Sequence, residues 1–302
     1  MASTVFARTG WINCICATTS PPWRSSCTQR SRRKNRRHNV RHLYKEFRMP
    51  HPMQDRWFMP APQAGKAIRL FCFPYAGGSP NAFRSWVKRF PGDIDVVVVR
   101  LPGRENRISE APFSEWPPLV EAVLQAIVPY LNQPFAFFGH SLGGRVIFEL
   151  TRRLQSYGAP LPEHMFISGC RCPHLSSSQP FIHQLPMEGL IERIRQMNGA
   201  PEAALQDQQL MALLEPMLRA DFKLSECWSG DKSQTLRVPI TALSGQDDPI
   251  DAPARMHEWE DYTSSRFQLR TFPGDHFFIR SSEQEVTAFI SQVLLENALL
   301  PA

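Results

Sequence analysis

In this 302-residue chain, one serine sits where its neighbours imply chemistry: Gly139-His140-Ser141-Leu142-Gly143. The apolar run Phe135-Ala136-Phe137-Phe138 precedes it, and residues 144–157 read as a helix. A serine on a tight strand-to-helix turn needs small flanking residues, because side chains there would clash. Such a turn lifts the Ser141 hydroxyl off the end of a sheet. It also brings the following helix N-terminus, with unpaired N–H groups including that of Leu142, behind a developing oxyanion. The chemistry this serves is nucleophilic attack on an acyl carbon.

A serine hydroxyl is a poor nucleophile without a base, and a histidine stands where one is needed. Arg266 to Phe272 reads as a late strand, followed by Pro273-Gly274-Asp275-His276 and then a helix from Ser281 to Glu296. His276 is therefore the candidate general base. His140 is built into the turn itself and is expected to pack against the wall of the site. The acid should lie after the strand Val238 to Leu243, in the turn Ser244-Gly245-Gln246-Asp247-Asp248-Pro249. A carboxylate there can accept the second imidazole N–H and stabilise the imidazolium. Asp248, directly before a stiffening proline, is preferred; Asp247 is the alternative. The order serine, aspartate, histidine is that of the α/β-hydrolases.

A second oxyanion donor belongs after an early strand. Ile68 to Phe73 qualifies, and Pro74-Tyr75-Ala76-Gly77-Gly78-Ser79 follows at once. Glycines let the backbone approach a substrate carbonyl, so the Ala76 N–H is expected to act with that of Leu142. An ordinary glycine-rich turn is the plainer alternative.

These residues need a mostly parallel sheet flanked by helices. Asp95 to Arg100 is a nearly continuous apolar strand, as burial on both faces requires. Residues 116–131 read as an amphipathic helix, and His164 to Ser168 as the strand after the serine helix. Between about 172 and 230 the pattern turns helical (187–198 and 205–224), which predicts a lid inserted over the serine. Leu190, Ile194, Met197, Leu213, Leu214, Met217, Leu218 and Phe222 are candidates to line an acyl channel or, more simply, to seal the lid onto the body.

Hydrophobic content of 42% supports a large core, and no apolar run reaches the ~18 residues of a membrane span. The net charge of +6 belongs to the first 50 residues, which hold 11 Lys/Arg and one acid; the remainder has 23 basic and 27 acidic residues. Residues 1–60 thus read as a basic, disordered extension and 61–302 as the catalytic domain. The extension could touch nucleic acid or acidic membrane, act as a targeting peptide, or be translated sequence before a start at Met49 or Met53. Seven cysteines show no metal-ligand spacing, and Cys170-Arg171-Cys172 is too close for an ordinary disulfide. Reduced thiols in a cytoplasmic protein are expected.

The body resembles the stand-alone type II thioesterases that accompany nonribosomal peptide and polyketide synthases. The matching segments are residues 73–79 (F-P-Y-A-G-G-S), 101–107 (L-P-G-R-E-N-R), the G-H-S-L-G turn, 167–170 (I-S-G-C), 218–222 (L-R-A-D-F), 245–249 and 274–278 (G-D-H-F-F). The wording at 167–173 and 219–222 is closest to members from siderophore pathways. The resemblance implies hydrolysis of acyl or aminoacyl thioesters from the phosphopantetheine arm of acyl or peptidyl carrier proteins, an editing task. The mechanism it implies is a Ser141–His276–Asp248 acyl-enzyme mechanism. It further implies no cofactor or metal of the protein's own, carrier domains as partners, no nucleic-acid or membrane partner, and a monomer. A medium-chain fatty-acyl carrier thioesterase, a general carboxylesterase and a hydrolase-fold binding protein without chemistry are the alternatives.

Overall fold

The computed structural model describes residues 56–175, 181–230, 232–233 and 235–299. Seven strands form one sheet: β1 (Phe58–Met59), β2 (Ile68–Phe73), β3 (Ile94–Val99), β4 (Phe135–His140), β5 (Met165–Ser168), β6 (Ile240–Gly245) and β7 (Phe267–Phe272). Their order is β1-β3-β2-β4-β5-β6-β7. All neighbours run parallel except β1, which pairs antiparallel with β3 through Phe58–Val99 and Met59–Val98. This is the α/β-hydrolase arrangement expected from the sequence.

Strand chemistry follows position in the sheet. Every residue of β2, β3, β4, β5 and β6 is buried, because helices cover both faces. Alternate residues enter opposite layers. Phe71, Phe73, Val97, Val99, Phe135, Phe137, Met165 and Ile167 join one core, with helices α1 (Trp116–Ile127) and α2 (Leu142–Ser156). Leu70, Cys72, Val96, Val98, Ala136, Phe138 and Phe166 join the other, under Phe83, Trp86 and the C-terminal helix residues Val286, Ile290 and Leu294. The edge strand β7 has the mixed burial of a strand with one half-open face.

The helical insertion lies between β5 and β6. It contains α3 (Met187–Gln196), a five-residue helix Glu202–Gln206 and α4 (Gln208–Glu226). The single helix expected over 205–224 is divided at Asp207, whose side chain accepts the Leu210 N–H at 3.0 Å and caps a new start. Leu190, Ile194, Met217, Leu218 and Phe222 are buried in a third core with Ile182, Leu205 and Met211. Leu213 is 59% exposed and stands outside that core, while Met197 and Leu214 pack at its margin. Helix α5 (Glu283–Leu299) closes the chain.

One boundary differs from the sequence reading, which started the body at residue 61. Trp57 and Phe58 are each only 4% exposed within the main core, and the Arg107 guanidinium lies 4.2 Å over the Trp57 ring. A two-residue strand carries no periodicity, so β1 gave no local signal. The basic cluster at 30–37, and the rest of the extension to residue 55, fall outside the described residues.

Candidate active site

Ser141 links the end of β4 to the start of α2 with φ 54° and ψ −113°, a left-handed backbone that a residue with a side chain adopts at a cost. The turn is held because the Ser141 N–H donates to the Ser168 carbonyl of β5 at 2.8 Å. The flanking glycines are sterically required. A β-carbon on Gly143 would overlap the Phe73 carbonyl oxygen, and one on Gly139 would overlap that of Gly143. The spacing G-x-S-x-G is thus the sequence form of two close backbone crossings.

His276 follows β7 and is buried, with Nδ1 2.8 Å from Asp248 Oδ2. Asp248 Oδ1 accepts the N–H groups of Ile250 at 2.8 Å and Asp251 at 3.0 Å. Burial alone would push this carboxyl's pKa up. The hydrogen bond and charge of His276, with the two backbone amides, outweigh it and hold the group below the usual carboxylate range. Asp247, the alternative acid, is exposed. The choice between neighbouring aspartates is made by the turn, which points one carboxylate inward and leaves its predecessor in water.

His140 lies beside the serine but faces a different partner. Its Nδ1 is 2.9 Å from Ser168 Oγ, and its ring packs against Tyr75, Phe277 and Phe278, 5.0 Å from the His276 ring. Complete burial, then the neighbouring His276, hold its pKa well below the histidine norm, so the ring stays neutral. It forms wall, as expected. Gly169, with φ +50°, leaves room for both imidazoles; a β-carbon there would stand 2.8 Å from His140 Cε1 and 3.2 Å from His276 Cε1.

The two expected oxyanion donors are uncommitted. Among the described residues the Ala76 N–H and the Leu142 N–H donate to no protein group, while Gly78 N–H closes a turn on the Tyr75 carbonyl at 2.8 Å. Because β2, β4, β5, β6 and β7 are parallel and successive in the sheet, the loops carrying Ala76, Ser141, Gly169, Asp248 and His276 all leave its C-terminal edge.

Two residues near the site carry no catalytic signal in the sequence. Asp221 of α4 accepts the Gly77 N–H at 2.8 Å, and Arg104 donates to the other Asp221 oxygen at 2.9 Å and to the Gly78 carbonyl at 2.7 Å. Both lie in segments quoted for the family resemblance. What pairs them is a tertiary contact across 117 residues, which local pattern cannot reveal.

Comparison with known proteins identifies the family. The thioesterase domain family matches residues 68–294. Gramicidin S biosynthesis protein GrsT of Aneurinibacillus migulanus is 39% identical over 241 residues, spanning 80% of this chain and 94% of its own. The RedJ thioesterase of the prodiginine biosynthetic pathway in Streptomyces coelicolor superposes with a TM-score of 0.72 at 38% identity, over 76% of this chain and 91% of that one. The type II thioesterase BorB from the borrelidin biosynthetic cluster does so with a TM-score of 0.72 at 31% identity, over 79% and 97%. The family match opens on the first residue of β2 and runs into the last helix, enclosing every residue of the site just described, and the chain belongs to the thioesterase family.

Proposed function

We propose that the protein hydrolyses acyl or aminoacyl thioesters carried on the phosphopantetheine arm of nonribosomal peptide or polyketide synthase carrier domains, clearing carriers loaded with the wrong group. The observation that carries the mechanism is the buried His276–Asp248 hydrogen bond at the same sheet edge as the strained Ser141. His276, held in one tautomer by Asp248, takes the Ser141 proton as Oγ attacks the thioester carbonyl. The Ala76 and Leu142 N–H groups receive the oxyanion. The C–S bond then breaks, and His276 returns the proton to the departing thiol, leaving an acyl-serine. Water, deprotonated by His276, attacks that ester; the tetrahedral intermediate collapses to free acid and the serine hydroxyl is restored. No step calls on a resident metal or cofactor. Carrier-protein partners and a cytoplasmic location belong to this reading, and among the described residues no helix is long and apolar enough to cross a membrane.

The test is hydrolysis of acetyl-, decanoyl- and aminoacyl-carrier protein by the purified chain, beside a p-nitrophenyl ester. Preference for short acyl and aminoacyl carriers supports editing. Preference for decanoyl-carrier would make it a medium-chain releasing enzyme, and preference for the simple ester a carboxylesterase. Intact mass should show an acyl adduct that Ser141→Ala cannot form.

A further inference from the structure

The loop after β2 is gripped from above by the lid. Gly77 takes φ +74°, and its N–H donates to Asp221 Oδ2 at 2.8 Å. Leu218, one turn earlier on α4, covers the same glycine so closely that a β-carbon there would stand 2.7 Å from Leu218 Cδ2. Leu218 and Asp221 share a helix face at i, i+3, so one stripe of the lid supplies both the apolar cover and the acceptor.

The carboxylate is itself fixed. Arg104 Nη2 donates to Asp221 Oδ1 at 2.9 Å, Nη1 donates to the Gly78 carbonyl at 2.7 Å, and Nε donates to the Pro102 carbonyl at 3.3 Å. The side chains of Arg104 and Asp221 are 4% and 2% exposed. A buried ion pair is a weak source of stability, since desolvation offsets most of the attraction. This pair spends its hydrogen bonds on the backbone at Gly77 and Gly78. Together with the Gly78 to Tyr75 turn, it engages both glycine N–H groups of the loop and leaves the adjoining Ala76 N–H without a protein acceptor among the described residues.

We infer that Asp221, anchored by Arg104, is a positioning residue: it holds the Gly77 amide so that the preceding N–H, that of Ala76, stays turned toward the oxyanion, and it makes the oxyanion site depend on a docked lid. The inference rests on the acyl-enzyme reading above. An oxyanion donor acts only if it is already in place when charge develops, so loosening its loop weakens the transition state more than the bound substrate.

The experiment measures kcat and KM on an acyl-carrier substrate, with affinity for an acyl trifluoromethyl ketone as an oxyanion-forming analogue and for the carboxylate product as a ground-state ligand. Asp221→Asn is one variant. Because a lone change strands a buried guanidinium, Arg104→Met/Asp221→Leu is the second; it removes both charges and keeps apolar volume. Each variant should lose about 10- to 100-fold in kcat and in ketone affinity, with KM and product affinity within about threefold. Turnover and ketone affinity within about threefold of the parent in the folded double variant overturn the inference. So does a rise in KM with kcat kept, which would make the pair a substrate-binding element. A variant that only melts earlier, yet turns over normally well below its melting point, overturns it too. Ser141→Ala run alongside separates the levels: if it stays active, the acyl-enzyme reading fails; if it is inactive while the Asp221 variants are normal, only the positioning role fails.

Discussion

Gly245, at the end of β6, lies directly against the Asp275 carbonyl of the histidine loop, so close that a β-carbon on Gly245 would overlap that oxygen. The two loops that carry Asp248 and His276 are therefore in backbone contact. Gly245→Ala should push them apart, and a displacement near 1 Å costs on the order of 10²-fold in rate. Overpacking of this kind costs about 1–3 kcal/mol of stability. Steady-state kinetics and a thermal melt check both, and an unchanged kcat would show that the contact can relax without moving the histidine.

The paired aspartates give a direct contrast. Asp248→Asn keeps the shape but removes the charge opposite His276, and kcat should fall on the order of 10³- to 10⁴-fold. Asp247 is exposed, and its change to Asn should alter kcat less than about threefold. The reverse ranking would transfer the acid role to Asp247.

Acid should destabilise the fold through buried histidines before it reaches the carboxylates. His164, its Nε2 2.8 Å from Thr241 Oγ1 and its ring stacked on Phe166, has its pKa pushed down to about 3 by burial and then by Arg266. Its folded pKa is below the unfolded one, near 6.5. Above pH 6.5 neither state binds the proton and there is no penalty. Between pH 6.5 and about 3 only the unfolded chain binds it, so stability falls by about 1.4 kcal/mol per pH unit. Urea unfolding at pH 7.5, 6 and 5 should show this slope, and His164→Gln should flatten it. Equal slopes in the two proteins would mean that His164 is protonated in the fold.

The extension and the body should separate at Trp57. A chain starting at Met53 keeps Trp57 and Phe58 and should melt with, and turn over like, the full-length protein. Trp57→Ala empties a core position under Arg107 and should cost about 3–5 kcal/mol. If the basic arm steers an acidic carrier protein, truncation slows association in a salt-sensitive way and leaves turnover at saturation unchanged. A folding defect in the Met53 chain would place part of the core upstream.

What could be read from the sequence was whatever is encoded within a few residues. The apolar strands, the small residues around Ser141 and the glycine-rich loop after β2 each satisfy a local steric demand, and the structure places them one or two residues from their expected bounds. The strand expected at Asp95–Arg100 is Ile94–Val99 and the helix expected from 144 begins at Leu142. Other features needed coordinates. Two adjacent aspartates are equivalent until a turn buries one. The strand at Phe58 exists only because Val98 and Val99 offer it an edge. Arg104 and Asp221 are ordinary charged residues until the lid settles on the loop.

That last contact has a consequence for how the chain is made. The Gly77 amide and the Asp221 carboxylate are 144 residues apart. At roughly 5–20 residues per second, Gly77 is synthesised about 7–30 s before its acceptor. Throughout that interval the glycine-rich loop has no protein partner for this N–H and must rely on water. During translation, the sheet edge that will bear the serine is drafted well before the loop opposite it can be locked.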